Sequence, residues 1–556
     1  MKLKIKPNFF NPLALLALII LAQCALILFY AGHKKNFYMD EVATLLTSND
    51  SGMAQTGFFE IGRVYSGDDL KSAITIGAGE RFKFGFVKRN LLTDPFQVPF
   101  YFFLFHAAYS VYSFFSDGFS LYPGIILNLV FFVLTSLLLY NVSRFIFGRY
   151  SALLSNILWG FSTAAINSVL IIRPYALLAC IFVLLALSVF RPARAKNMSA
   201  ADCILLGIAV FFGVLTHYHF LIFAVLVLFC FFVFLIRAQR YKDLIKSAST
   251  VLISFLAACL CYPIIRILHN LIATNSLGER KIFFIDGLIK NAYEALSVWL
   301  EQTFGAVSGS IIFWAGVVFM LFLAVKFLID KKQLIKINFF AAVCFTSLLF
   351  VIITWQSLTY RNWHDSRYLW PAYPAAAVFF LFLLDSAVNL VFSKNAKKKV
   401  VFAAVVVVLT AVPFFKKRDL VWLYSGTLNL ANHENALAVG INDSDAPYAL
   451  LRFSGFVYDL SRVKNFVILG SDPAKELDEL LKQRGNTDGQ LLLLLHYYTS
   501  EAARNNVLSV LKNSGYSNTE FLFERNQIAV FSSFHKQDAQ NPSAAAQPDP
   551  FSKTKN

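Results

Sequence analysis

The chain has 556 residues, of which 57% are hydrophobic and only 15% charged, and its mean hydropathy is +0.59. An ordinary soluble domain carries about a quarter charged residues, so that class is excluded for most of the length. In so apolar a chain the formal net charge of +17 reads as membrane-flanking loops biased towards Lys and Arg, not as a nucleic-acid surface.

Lys2, Lys4 and Lys6 lead into an apolar run over about residues 9–31. It is longer than the apolar core of a secretion signal, and no small-x-small cleavage site follows. It therefore predicts a first transmembrane helix with its basic end in the cytoplasm. The loop over about residues 32–120 is expected outside. Within it, residues 98–115 predict an interfacial or re-entrant helix, whose Phe100, Tyr101, Phe102, Tyr109 and Tyr112 suit the headgroup level. Further apolar runs lie near 121–142, 150–170, 174–190, 201–216, 219–236, 248–268, 306–328, 338–358, 368–391 and 400–415. A helix needs about 20 residues to cross the hydrocarbon core, which makes about eleven spans in all. Short loops bearing Arg144 and Arg149, Arg191 to Lys196, Arg237 to Lys246, Lys326 to Lys336 and Lys394 to Lys399 all fall on one side of that alternation, the cytoplasmic one.

Beyond Lys416 strand-like and helix-like stretches alternate. A strand over 466–469 precedes a helix over 474–482, a strand over 491–495 precedes a helix over 501–512, and 520–534 reads as a strand pair. The expected architecture is an α-helical polytopic membrane protein over 1–415, a small soluble extracytoplasmic α/β domain over 416–535, and a disordered tail over 536–556, rich in Gln, Asn, Ser, Ala and Pro. Cys24, Cys180, Cys203, Cys230, Cys259, Cys261 and Cys344 lie in or beside apolar runs without CxxC or Cys/His spacing. They read as small core hydrophobes, not disulfides or metal ligands.

Several polar residues stand out against this apolar background. Asp40-Glu41 follows the first span within about ten residues. The pair reads either as an acidic mark at a helix end or as a base, since a carboxylate at a dry border is a better base than one in open water. Arg173, Arg361 and Arg367 sit in or beside short outer turns that should be poor in positive charge. They read either as snorkelling to headgroups or as guanidinium groups for a lipid phosphate, which they bind bidentately. His217 and His219 flank Tyr218 at another outer turn. Two His at this spacing point apart on a helix, so an interfacial role is the stronger reading and a metal site the weaker. His364-Asp365 beside Arg367 is a similar cluster. There is no GxGxxG or Walker loop, which argues against a nucleotide-driven pump.

Taken in order, these motifs resemble a known family. Asp40-Glu41 is followed by Gln97-Val98-Pro99-Phe100-Tyr101-Phe102-Phe103-Leu104-Phe105-His106. Then come Arg173-Pro174-Tyr175-Ala176-Leu177, Thr216-His217-Tyr218 and Arg367-Tyr368-Leu369-Trp370-Pro371-Ala372-Tyr373-Pro374. This order resembles the GT-C membrane glycosyltransferases of the protein-mannosyltransferase and aminoarabinose-transferase type. The resemblance implies a polyprenyl-phosphate sugar donor, transfer on the outer face of a bacterial-type plasma (inner) membrane, and inversion at the sugar. The acceptor, whether glycan, lipid or protein, stays open. By position Asp40 would be the general base and Glu41 its neighbour in an acceptor or metal site. Arg173, Arg361 and Arg367 would hold the donor phosphate. Tyr175, Tyr368, His217, His219, His106, His364 and Gln97 would line the pocket. The family's His-Pro-Pro is Gln97-Val98-Pro99 here; Asp94, one helical turn earlier, is the candidate replacement. Some members bind a divalent metal, for which Glu41 and Asp94 are the candidate ligands, and no other cofactor is implied. Against this stand two other readings: a lipid or glycan transporter or flippase, which would need charges inside several spans, and a non-catalytic assembly or sensor protein.

Overall fold

The computed structural model describes residues 11–34, 37–50, 59–93, 97–265, 288–304, 339–359, 365–391, 435–442, 453, 456–484, 490–496, 499–525 and 528–535. The chain divides into two compact units. One comprises Met1–Gly32, Asp94–Tyr101 and Gly124–Val421; the other comprises His33–Thr93, Phe102–Pro123 and Trp422–Asn556.

The first unit is helical. Among the described residues, six helical stretches are long and apolar enough to cross a membrane: Pro12–Gly32 (α1), Tyr122–Ser143 (α6), Tyr175–Arg194 (α9), His219–Arg237 (α11), Tyr241–Cys261 (α12) and Ser366–Ser386. The last begins in short 3-10 turns and continues as α15, Tyr373–Val391. Exposed apolar side chains mark the lipid-facing surfaces. On α6 they are Ile126, Val130, Leu134 and Leu137, one face of a helix by their spacing; on α12 they include Leu252, Ile253, Leu256 and Leu260. This is an integral membrane protein.

Three expected spans take a different form, the run over 338–358 among them, whose apolar part is the shorter helical stretch Ala342–Ser357. The run over 150–170 is a broken pair, α7 (Ala152–Gly160) and α8 (Thr163–Leu170), bent by 61°. Ser162 makes the break cheap, because its hydroxyl caps the first turn of α8 by accepting Ala165 N–H at 3.1 Å. The run over 201–216 forms α10, Ala200–Val214, of only 15 residues. The runs near 306–328 and 400–415 lie outside the described residues.

Packing centres on α9, which is buried along most of its length. Phe182 stacks on Phe223 of α11 with centroids 4.0 Å apart and meets Phe350 of α14 (Phe339–Thr359) edge-on at 5.1 Å. At one end of the bundle Arg240 reaches the carbonyls of Pro192 and Ala195 at 2.9 and 3.1 Å and pairs with Asp243 at 2.7 Å. Asp202 faces Arg191 at 3.4 Å. The basic stretches 191–196 and 237–246 therefore share one end, as the charge alternation requires.

The second unit holds a six-stranded sheet in the order β1-β3-β2-β4-β6-β5. The strands are β1 (Val64–Ser66), β2 (Leu437–Ile441), β3 (Asn465–Leu469), β4 (Leu491–His496), β5 (Tyr516–Arg525) and β6 (Ile528–His535). β2 runs parallel to both β3 and β4, and β6 is antiparallel to β4 and β5. The central strands are apolar throughout, as strands buried on both faces must be. One face carries Leu437, Val439, Ile441, Leu491, Leu493 and Leu495 against Leu477, Val507 and Leu511. Those last three lie on α16 (Pro473–Arg484) and α17 (Glu501–Asn513). The edge strand β1 comes from the first loop and pairs antiparallel with β3. Phe59 packs on Phe466 beside it, centroids 5.0 Å apart.

From the same loop come α2 (Met39–Asn49), α3 (Gly67–Ile74) and α4 (Phe84–Thr93). The expected helix over 98–115 is α5, Pro99–Tyr112. Of the five aromatics expected at the headgroup level, Tyr101, Phe102 and Tyr109 are instead buried in protein, while Phe100 and Tyr112 are partly exposed. The reason is polar anchoring. Tyr101 donates to Asn128 Oδ1 at 3.0 Å, and the Tyr109 hydroxyl donates to the Ser120 carbonyl.

Candidate functional site

Three helix turns of the first unit carry the site. The first joins α8 to α9. Asn128 donates to the carbonyls of Val169 and Ile171 at 3.1 and 2.9 Å, which fixes the extended exit from α8. Arg173 N–H closes a tight turn on Ile171 O at 2.7 Å, and Pro174 then opens α9. The buried Arg173 guanidinium donates from Nη2 to Gln97 Oε1 at 3.3 Å. Gln97 is itself held, since its carbonyl accepts the Tyr262 hydroxyl at 3.4 Å.

The second turn joins α10 to α11. Thr216 donates back to Phe212 O at 2.7 Å, and His217 stands between the helices. His219 N–H donates to His217 Nδ1 at 3.2 Å, and the two rings stack with centroids 4.8 Å apart. This corrects the expectation that the pair splays. Residues two apart diverge on one helix, but these straddle a turn, so their rings meet. Because Nδ1 accepts, the His217 proton resides on Nε2. Burial, His219 and the two arginines Arg173 and Arg367 hold the His217 ring well below the usual imidazole range, so it is neutral.

The third turn precedes α15. Arg367 is only 2% exposed, and its Nε forms an ion pair with Asp365 Oδ2 at 2.6 Å. Tyr368 lies 5.9 Å from Tyr175, 5.9 Å from His217 and 5.2 Å from His219, centroid to centroid. Trp370 closes on Tyr175 at 5.8 Å. Gln302, on α13 (Leu288–Phe304), braces this turn: it donates to Ser366 Oγ at 2.6 Å and accepts Trp370 Nε1–H at 2.7 Å. The Tyr175 hydroxyl is buried without a hydrogen-bond partner among the described residues.

Gln97, Arg173, Tyr175, His217, His219, Arg367 and Tyr368 are thus brought into one aromatic-walled, cationic cluster. Such a cluster can hold an anion, offering guanidinium groups, a phenol and an imidazole N–H. Arg361, His364 and Asp94 lie outside the described residues.

No family model matches the chain, and no curated protein matches it. Among solved structures it is similar to ArnT from Cupriavidus metallidurans bound to undecaprenyl phosphate, at 10% identity and a TM-score of 0.37, over 93% of this chain and 98% of that one. It is similar to the apo state of that ArnT at 12% identity and a TM-score of 0.38, over 93% and 97%. It is also similar to the archaeal oligosaccharyltransferase AglB from Archaeoglobus fulgidus, in complex with an inhibitory peptide and a dolichol-phosphate. That likeness has 11% identity and a TM-score of 0.40, over 94% of this chain and 75% of that one.

The remaining candidates belong to the second unit. Asp40 lies half-buried in the first turn of α2, where the positive end of the helix favours an acidic side chain. Glu41 is fully buried. Its Oε2 accepts Tyr38 N–H at 2.8 Å and its Oε1 takes the Lys34 ammonium. His106 is buried too, with Nδ1 2.7 Å from Ser48 O and its ring between Phe84 and Phe86, at 5.4 and 5.1 Å. Its contacts tie α5 to α2 and α4. No group of three or more His, Cys, Asp or Glu is placed to hold a metal ion among the described residues. Sequence reasoning missed Lys34, Asn128, Tyr262 and Gln302. None of them carried a local signal; Gln302 lies between Glu301 and Thr303 in a stretch expected to be an outer loop.

Proposed function

We propose that this protein is a membrane glycosyltransferase that moves a sugar from a polyprenyl-phosphate donor to an acceptor on the extracytoplasmic face. The supporting observation is the meeting of Arg173 and Arg367, both buried, with Tyr175, His217 and Tyr368 at three helix turns. Arg367 has Asp365 as its counter-ion, and Arg173 adds a second buried positive charge to the same cluster, which is thus cationic at the ends of transmembrane helices; a lipid phosphate is the anion a membrane supplies there. The ordered motifs resemble those of enzymes that use one.

In the proposed reaction Asp40 takes the proton from an acceptor hydroxyl. The acceptor oxygen forms its bond to the anomeric carbon as the bond from that carbon to the phosphate oxygen breaks. The electron pair of the broken bond stays on the leaving polyprenyl phosphate. Arg173 and Arg367 stabilise the negative charge that builds there. His217 donates its Nε2–H towards the same oxygens, and as a neutral ring it does not compete for the acceptor's proton. Attack from the face opposite the phosphate inverts the sugar. Lys34 already occupies the Glu41 carboxylate, so any divalent metal would find that ligand engaged.

The test is transfer by the purified, detergent-solubilised protein from a panel of polyprenyl-phosphate sugars. Asp40→Asn is expected to abolish turnover while leaving insertion and thermal unfolding unchanged. Full turnover by that variant removes Asp40 from the chemistry, and no transfer from any donor on the panel removes the whole reading.

A further inference from the structure

We propose that Lys34 and Glu41 form a buried ion-pair latch that sets the position of Asp40 and takes no part in the bond-making itself. This rests on the reading of Asp40 as base. It reassigns Glu41, which the motif order puts in an acceptor or metal site.

The local geometry carries the inference. The Lys34 and Glu41 side chains are 2% and 0% exposed. One carboxylate oxygen takes the Lys34 ammonium, and the other accepts Tyr38 N–H. The helix α2 has no side-chain hydrogen bond from the residue at its N-cap, Tyr38. Glu41 therefore does that work, reaching back as the third helical residue does in a capping box. The Lys34 ammonium also lies 5.2 Å from the ring centroid of Phe37, which is buried and packs edge-on against Phe119 at 5.5 Å. Asp40 sits between these fixed points, one residue before Glu41. A carboxylate with both oxygens so engaged is poorly placed to bind an acceptor or a metal. What it does control is the first turn of α2, and with it the direction in which Asp40 is presented.

A buried pair behaves characteristically under substitution. Removing either partner strands the other charge; removing both charges together relieves the strain. Lys34→Met keeps the stem of the side chain, and Glu41→Gln keeps an oxygen for Tyr38 N–H, since Gln serves in a capping box as Glu does. Each single variant is expected to lower kcat by about 100-fold, the effect of a base displaced by about an ångström. The double variant Lys34→Met/Glu41→Gln is expected to recover to within about tenfold of wild type.

Hydrogen–deuterium exchange supplies a readout independent of any substrate. The amides of Glu41 and Val42 both donate to Tyr38 O in the closed first turn, at 2.9 and 3.3 Å. They are expected to exchange faster in each single variant and to return towards wild type in the double. Exchange unchanged in the single variants overturns the latch. So does a double variant as inactive as Glu41→Gln alone, because that places the Glu41 charge in the chemistry. Wild-type transfer by Asp40→Asn overturns the base reading instead, and the exchange pattern then decides the latch by itself.

Discussion

Arg367 offers the sharpest test of the cationic cluster. Its Nε edge is engaged by Asp365 at 2.6 Å, and it acts electrostatically on Tyr175 and His217 from the same pocket. Two unit charges about 4 Å apart at an effective dielectric near 20 attract by about 4 kcal/mol. The leaving phosphate gains its extra charge only as the bond breaks, so part of that attraction acts on the barrier. Losing one preorganised donor at a developing anion lowers kcat by about 100- to 1,000-fold. That is the expectation for Arg367→Ala. Arg367→Lys keeps the charge but offers one compact ammonium, which cannot hold Asp365 and phosphate with the same planar fork. It loses about one charge-assisted hydrogen bond, roughly 1.5–3 kcal/mol, so a fall of about 10- to 150-fold is expected. The Asp365 side chain is 22% exposed, so water replaces part of the lost pairing and Arg367→Ala still folds. The assay is the initial rate of transfer against donor concentration, with kcat and KM separated. An Arg367→Ala enzyme within about threefold of wild type in both would refute the phosphate-holding role.

Two further predictions concern stability. The depressed His217 favours the neutral ring in the folded chain, so its contribution is complete above its ordinary value of 6.5 and is lost as pH falls below that. Thermal unfolding is therefore expected to shift down on acidification from about pH 7 to 5, and less so in His217→Gln; equal shifts in the two proteins would contradict this. Gly67 opens α3 where a Cβ would lie 2.6 Å from Val463 O and 2.8 Å from Ser461 O. Both are backbone atoms that cannot swing aside. Gly67→Ala should destabilise the second unit by about 1–3 kcal/mol, seen as faster proteolysis within 59–93 and a lower melting temperature.

The long helices were legible because an apolar run of bilayer length is a strong signal: α1, α6, α9, α11, α14 and α15 follow their runs closely, whereas α13 lies where an outer loop was expected. What the runs concealed was interruption. Gly160-Phe161-Ser162 reads as part of an apolar stretch, yet a glycine at one helix end and a serine cap at the next make a 61° bend inexpensive. Strands β3 to β6 and both helices beside them were readable from apolar blocks set between turn residues. β2 was not, since Leu437-Ala438-Val439-Gly440-Ile441 contains no alternation and two weak strand formers. β1 is three residues long and pairs with a strand some 400 positions away in the chain; no local pattern encodes such a partner.

The site divides along similar lines. Arg173 and Arg367 could be singled out individually, because a guanidinium at a span end must find an anion. That they share one pocket with His217 could not be read from spacing, since the three turns are separated by dozens of residues. Only the resemblance in motif order hinted at it. Glu41 presents the opposite case. Two adjacent acids after a span invite a joint chemical role, but the fold gives them different surroundings. Glu41 faces inward, where a buried carboxylate requires a counter-ion, and Lys34 is within reach across a single turn of chain. Asp40, one residue earlier, points off another face of the same helix turn. On the proposed reading, the buried member of the pair supplies structure and the half-buried one supplies the base.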